Sequence, residues 1–256
     1  MENKLNTEDE LYCLKYEFNS LAEYITKNQA ERWVPNCIDK LTESEHLERY
    51  KYACLFAKNK KVLDIAGGIG YGSFLLSKNG KAEEVHSIDL DSDTVKYANL
   101  KYYDKSIKRQ VGDAVNFIKP EYYDLIVSFE TIEHLINYNT FITNIYKSLK
   151  FGGELIISSP SVLNTTKIID NKYHTIEWSF LDFQNLLNKK FEIKDIYVQS
   201  VTLRKDLNNN ILSRLKQKIL NNPQKKISRP VFEKYVGQYK PNEIVRCYQL
   251  IHCLKK

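Results

Sequence analysis

Between Glu8 and about Asn28 the residues Leu11, Leu14, Phe18, Leu21 and Ile25 recur at steps of three and four, which predicts an amphipathic helix. Arg32-Trp33-Val34-Pro35 ends it, and a second helix is predicted from Ser44, acting as N-cap, to about Lys58. Beyond these the pattern changes to short apolar runs alternating with amphipathic stretches. Strands are predicted at Val62–Ile65, Glu84–Leu90, Arg109–Ala114, Tyr123–Phe129, Glu154–Pro160, Phe191–Gln199 and Ile244–Leu254. Helices are predicted after the first strand around Phe74–Leu76, then at Asp91–Tyr102, Asn139–Leu149 and Ser179–Asn188. Strands that alternate with helices argue for an α/β chain built on a mainly parallel sheet. No internal repeat is evident, and only Asn208-Asn209-Asn210 approaches low complexity.

The organisation that follows is a helical cap over residues 1–60, a core over 61–200, a basic insertion over 201–240 and a final strand of the core over 241–256. At 256 residues and 43% hydrophobic content the chain can bury a sizeable core, which excludes wholesale disorder. The net charge of +6 is concentrated. Residues 204–230 hold eight basic side chains against the single acid Asp206, more than the net charge of the whole chain. Ile211, Leu212, Leu215, Ile219 and Leu220 give that segment an apolar stripe. Four readings stand open for it: a solvated insertion packed by its stripe, a lid over an anionic substrate, an RNA-backbone contact, or a helix at a membrane surface. No apolar run approaches the roughly 18 residues of a membrane span, and Met1-Glu2-Asn3-Lys4 lacks the layout of a signal peptide. The five cysteines (13, 37, 54, 247 and 253) are odd in number and form no C-x-x-C pair, the usage expected of free thiols in a reducing cytoplasm.

The first predicted strand ends in Asp64-Ile65-Ala66-Gly67-Gly68-Ile69-Gly70-Tyr71-Gly72. Strand, glycine turn and helix form a crevice at the carboxyl edge of a parallel sheet, where glycines let the backbone approach a ligand. The dinucleotide pattern G-x-G-x-x-G fails, because from Gly68 and Gly70 the third glycine falls at 72 and Ser73 occupies the required place. The spacing resembles D-x-G-x-G-x-G, motif I of the class I S-adenosylmethionine-dependent methyltransferases, with Ala66 in place of the first glycine. A methyl group is accommodated there if the residue keeps a strand-like backbone.

The resemblance covers residues 62–200 in register and implies a Rossmann-like, seven-stranded sheet whose last strand inserts antiparallel between the fifth and sixth. It implies S-adenosylmethionine as cofactor, held by Asp64, Ala66, Gly68, Gly70, Asp89, Leu90, Asp113, Ala114 and Phe129. Asp64 is then expected near the cofactor's amino group, Asp89 at both ribose hydroxyls, and Asp113 at the adenine amino group with the Ala114 backbone nearby.

Ser128-Phe129-Glu130-Thr131-Ile132-Glu133-His134-Leu135 resembles the E-x-x-E-H segment of two metal-dependent O-methyltransferase groups, the ubiquinone-pathway enzymes and the small-RNA 3′-terminal 2′-O-methyltransferases. Tyr173-His174-Thr175-Ile176-Glu177-Trp178 resembles the H-x-x-E-W segment of the RNA enzymes. Carried over, the metal ligands are Glu130, Glu133, His134 and His174, a set of carboxylates and imidazoles that suits Mg²⁺ or Mn²⁺ better than zinc. Related sugar methyltransferases carry the same E-H and H-x-x-E words without a metal role, and there His134 is the base, oriented by Glu133. The catalytic residues expected on either route are His134, Glu133 and His174.

Glu31-Arg32-Trp33-Val34-Pro35, Glu48-Arg49-Tyr50 and Ser159-Pro160-Ser161 resemble methyltransferases of polysaccharide biosynthesis. The expectation is therefore a cytoplasmic O-methyltransferase acting on a hydroxyl of a sugar, sugar nucleotide or glycan, with the N-terminal helices capping the sheet or pairing in a homodimer. Two rivals are a metal-dependent RNA 3′-terminal 2′-O-methyltransferase, which makes nucleic acid the second-choice partner, and a non-catalytic cofactor-binding subunit of another methyltransferase.

Overall fold

The computed structural model describes residues 5–27, 34, 40–202, 231–235 and 244–256. The basic stretch at 203–230 and the words around Trp33 and Cys37 lie outside the described residues.

The apolar runs form the strands they predict. β1 (Lys61–Ile65), β2 (Glu84–Asp89), β3 (Ile107–Val111), β4 (Tyr123–Ser128) and β5 (Leu149–Val162) pair in parallel in the order β3-β2-β1-β4-β5. β9 (Ile244–Lys255) lies antiparallel between β5 and β7 (Phe191–Thr202), as the resemblance implies. The sheet exceeds the expected seven strands. Two-residue β6 (Trp178–Ser179) pairs with the end of β5, and β8 (Val231–Lys234) adds an edge strand to β7, making nine strands among the described residues. β8 falls inside the stretch expected to be a basic insertion, and β7 runs three residues beyond the predicted Gln199, so both flanks of that stretch belong to the sheet.

Two apolar layers cover the sheet. On one face Tyr50 and Ala53 of α2 (Lys40–Cys54) and Leu76 of α3 (Tyr71–Lys78) pack on Val62, Leu125, Val127 and Ile156. On the other, Phe141, Ile142 and Ile145 of α5 (Tyr138–Ser148) and Phe183, Leu186 and Leu187 of α6 (Phe180–Asn188) pack on Leu63, Ile126, Leu155 and Ile251. Ser179 caps α6 by accepting from the Asp182 amide, and Asp91 caps α4 (Ser92–Lys101) through the amides of Asp93 and Thr94.

α1 (Thr7–Lys27) forms where its periodicity places it but turns the other way. Tyr12, Cys13 and Tyr16 face the body, where Cys13 packs with Ile69 and Tyr97, Tyr12 Oη donates to the Asp93 carbonyl and Tyr16 Oη shares a 2.7 Å hydrogen bond with Thr94. Leu11, Leu14, Phe18 and Ile25 point to solvent, Phe18 at 70% exposure. No helix among the described residues is long and apolar enough to cross a membrane.

Candidate active site

The glycine turn closes at the C-terminal ends of β1 and β2. The Gly67 amide donates to the Ile88 carbonyl at 3.0 Å, and the Gly68 amide to Asp89 Oδ2 at 2.9 Å. Asp89 Oδ1 also accepts from the Asp91 amide, so the two turns are tied through one carboxylate. A side chain at Gly68, whose φ is +55°, would meet nothing within 4 Å, which makes this the point where the backbone lies open to a ligand. Ala66 departs from expectation: its φ is +58°, so it is left-handed, not strand-like. The turn must reverse direction at that residue, and a methyl group tolerates this conformation only with strain.

Asp64 is buried. Its Oδ1 accepts from Tyr50 Oη at 3.0 Å and its Oδ2 from Ser73 Oγ at 2.6 Å. Burial pushes its carboxyl up to about 6, against the lowering effect of those two hydroxyls. Tyr50 also closes over Gly72, where an added Cβ would fall 2.0 Å from its ring, and meets Phe129 edge-on at 4.9 Å. β3 stops at Val111, short of the predicted strand end, so Asp113 and Ala114 stand on the turn beyond it. There Asp113 accepts from the Val115 amide and from Asn116 Nδ2. Leu90 is exposed immediately past Asp89.

A second cluster forms after β4. The chain leaves the strand at Glu130 (φ +51°) and enters a 3₁₀ turn over Ile132–His134, the break needed for adjacent residues to share one site. The loop after β5 is fastened to this turn: the amides of Thr175 and Ile176 both donate to the Glu133 carbonyl. A carboxylate oxygen of Glu133 and a ring nitrogen each of His134 and His174 thereby lie within 4.8 Å of one another. The two rings meet nearly perpendicular, 4.9 Å apart.

The tautomers follow from the partners. His134 Nδ1–H donates to the Tyr173 carbonyl at 2.9 Å, leaving its lone pair on Nε2. His174 Nδ1–H donates to Glu177 at 2.8 Å, and its Nε2 accepts from the Asn171 amide, whose own orientation is set by the Tyr173 N–H. A carboxylate behind a histidine in this way is the arrangement that orients imidazole ligands of metals.

Glu133 is fully buried with neither oxygen hydrogen-bonded, and burial, then the nearby Glu130, push its carboxyl well above the usual range. A cation between it and the histidines would reverse that preference. The residues fit a divalent ion through a buried carboxylate and the His134 Nε2 lone pair, while His174 Nε2 would exchange its hydrogen bond from Asn171 for the ion.

Glu130 does not join the cluster. Its Oε1 accepts from Ser158 Oγ at 2.6 Å, its amide donates to the same hydroxyl, and Arg49 Nη1 stands 3.8 Å away. Held by Ser158 and Arg49, this glutamate stays outside the 4.8 Å group yet close enough to Glu133 for its charge to act there.

The comparisons with known proteins agree with this architecture. Residues 56–228 match the family described as "Methyltransferase domain". The chain belongs to the methyltransferase domain family. A probable S-adenosylmethionine-dependent methyltransferase of Mycolicibacterium smegmatis is 28% identical over 141 residues, 53% of each chain. The malonyl-[acyl-carrier protein] O-methyltransferase of Priestia megaterium is 30% identical over 104 residues, 41% of this chain and 38% of that one. The chain spans about half the length, or less, of these curated relatives.

Among solved structures, the YcgJ protein of Bacillus subtilis superposes with a TM-score of 0.59 at 16% identity, covering 82% of this chain and 99% of that one. Phosphoethanolamine N-methyltransferase 2 of Haemonchus contortus, solved with S-adenosyl-L-methionine, gives 0.59 at 17% identity, covering 99% of this chain and 61% of that one.

Sequence reasoning singled out Glu48-Arg49-Tyr50 as a family word but gave its residues no task. In the methyltransferase Tyr50 seals Gly72 and binds Asp64, Arg49 reaches Glu130, and Thr175 joins the two halves of the second cluster. For Arg49 and Tyr50 the available signal was a charged and an aromatic residue one position apart on the helix just before motif I.

Proposed function

We propose that this methyltransferase transfers the methyl group to a hydroxyl of a sugar-containing acceptor, using Glu133, His134 and His174 as the catalytic group. The observation that carries the reading is the convergence of those three side chains within 4.8 Å beside the crevice. A carboxylate acceptor is already anionic and calls for no such cluster, and an amine, held as its ammonium ion, gives up a proton far more readily than an alcohol does. An aliphatic hydroxyl is a weak acid and needs a base or a Lewis acid to give up its proton.

Buried polar groups on β5, β6 and β9 support a polyhydroxylated acceptor. Ser159 and Gln249 sit opposite each other on β5 and β9, Ser161 opposite Trp178 on β5 and β6, and each keeps a buried polar atom without a hydrogen-bond partner. Donors and acceptors are mixed in this set, as sugar hydroxyls require, and an acyl chain would leave them unsatisfied.

The cofactor supplies a methyl group on a cationic sulfur. Asp64, Ala66, Gly68, Gly70, Asp89, Leu90, Asp113, Ala114 and Phe129 are the residues assigned to hold it, with Asp89 accepting from the ribose hydroxyls. A carboxylate has room for about four hydrogen bonds, so the Gly68 and Asp91 amides do not exhaust it. Glu133, His134 and His174 are the residues assigned to a divalent ion, Mg²⁺ or Mn²⁺, which would bind the acceptor hydroxyl and lower its pKa. Without the ion, His134 Nε2 is the base. We place the reaction in the cytoplasm.

The test is a screen of sugar nucleotides, glycans and small RNAs with labelled S-adenosylmethionine, before and after chelation. Methylation of a carbohydrate, lost with a chelator and restored by Mg²⁺ or Mn²⁺, is the expected result. Transfer to a small RNA alone, weakening steeply with salt, would replace the acceptor assignment. Full activity in His134→Ala and His174→Ala would remove the catalytic one.

A further inference from the structure

The apolar side chains that α1 withholds from the body follow one another at steps of three, four, three and four: Leu11, Leu14, Phe18, Leu21 and Ile25. In heptad terms Leu11, Phe18 and Ile25 stand at a, and Leu14 and Leu21 at d. That is a narrow seam of the kind two helices share in a coiled coil. Leu11, Leu14, Phe18 and Ile25 are 50–70% exposed, and Leu21 is half-buried.

The contacts of α1 with the body come from other positions. Tyr12, Cys13 and Tyr16, at b, c and f, meet Asp93 and Thr94 of α4, Tyr97, and Ile69 of the glycine turn. Positions b, c and f point away from a coiled-coil partner. A second helix can therefore lie along the seam without meeting the described part of this chain. The body also holds α1 in shape, so a partner meets a helix already formed rather than one that must nucleate on contact.

Charge decides what covers the seam. α1 carries Glu8, Asp9, Glu10, Glu17 and Glu23 against Lys15 and Lys27. That surplus of acid disfavours an anionic membrane or a phosphate backbone, both of which call for basic flanks. A second copy of the same helix fits. In a parallel pair each g residue meets the following e residue of the other helix, and here those are Glu10 and Lys15, both exposed. Twofold symmetry supplies that pair twice. Glu17, the next g residue, is already engaged by Tyr97 and Lys101 of its own chain. Leucine at both d positions also suits a parallel pair. An antiparallel pair brings g to g and e to e, so no register of it joins Glu10 to Lys15.

We propose that two copies of this chain associate about a twofold axis with their α1 helices parallel along the Leu11–Ile25 seam. Glu10 of each copy then faces Lys15 of the other.

Sedimentation velocity on the full chain over the micromolar range tests it, with a monomer–dimer equilibrium as the expected result. Phe18→Glu changes only exposed apolar surface and should leave a monomer at every concentration, with Tm unaltered. Glu10→Lys and Lys15→Glu should each raise the dimer dissociation constant roughly 3- to 10-fold, through two like-charge pairs. The double exchange should return it to within about twofold of wild type.

A wild-type chain that stays monomeric overturns the proposal, and so does a dimer that survives Phe18→Glu, whose interface would lie elsewhere. A monomer whose Tm falls in Phe18→Glu would mean that the chain itself covers the seam. Wild-type binding to phosphatidylglycerol vesicles through Phe18 would give the seam to a membrane. A dimer lost in Phe18→Glu but not restored by the double exchange would not be parallel. Each of these overturns the arrangement. If Phe18→Glu does not fold, Leu14→Cys answers, because only parallel helices bring residue 14 to its own counterpart. Oxidation should then link two chains beyond any linkage seen in wild type, and absence of that link overturns the proposal.

Discussion

The amide of Thr175 donates to the carbonyl of Glu133 at 2.7 Å, and its hydroxyl reaches that carbonyl at 3.0 Å and the Leu135 carbonyl at 3.2 Å. The 3₁₀ turn after β4 and the loop after β5 therefore move as one piece, and the distance between His134 and His174 depends on that joint. Thr175→Val keeps the β-branched shape and the amide bond but removes the hydroxyl. We expect kcat to fall roughly 3- to 30-fold from misplacement of His174, with S-adenosylhomocysteine affinity unchanged. Unaltered kcat in this variant would show that the histidines are held independently.

The strands and helices were legible because apolar runs and three-to-four periodicity report burial directly. What periodicity does not report is which way an amphipathic element turns. Leu11, Leu14 and Phe18 carry the apolar pattern of α1, yet Tyr12 and Tyr16 make its contacts, because their hydroxyls find Asp93 and Thr94. Backbone handedness was hidden for the same reason: nothing in the letter Ala at 66 or Glu at 130 announces a positive φ. Glu133, His134 and His174 lie together, and Glu130, held by Ser158, lies outside that group. β8 was missed because a four-residue strand carries too little pattern to register.

Glu177 accepts from His174 Nδ1 at 2.8 Å and so fixes the ring, leaving Nε2 to exchange its Asn171 hydrogen bond for an ion. If a divalent ion binds there, Glu177→Gln should raise the Mn²⁺ dissociation constant about 10- to 100-fold, as loss of such outer partners does. Titration calorimetry with Mn²⁺ on the two proteins reads this out. Wild-type protein that takes up no Mn²⁺ would leave His134 as a base acting without a metal.

Asp64 gives the site a pH dependence. Burial raises its folded pKa to about 6, above its unfolded value, so it contributes stability that is fully present at low pH and is lost as pH rises through about 6. Cofactor binding has the opposite sign, because the cofactor's ammonium group favours the ionised carboxylate. S-Adenosylhomocysteine affinity should thus decline as pH falls from 7 to 5, by up to about tenfold per unit below the pKa. Asp64→Asn should flatten that decline in a calorimetric series. A decline of the same steepness in both proteins would place the responsible group elsewhere.

Ala66 offers a test of the turn itself. With φ at +58° its methyl group sits in the left-handed region, at a cost of about 1–2 kcal/mol. Glycine would relieve that strain but loses roughly 0.4–1 kcal/mol to the greater freedom of the unfolded chain. The balance favours Ala66→Gly by about 0.5–1 kcal/mol, or an increase in Tm of about 1–4 °C for a protein of this size. Ala66→Val should move Tm the other way, because a β-branched side chain fits the left-handed region less well than alanine does. Calorimetric melting of the three proteins without cofactor decides the matter. If glycine leaves Tm unchanged or lower while valine is tolerated, residue 66 is extended, as its place in motif I first implied, and the chain reverses at Gly67 or Gly68 instead.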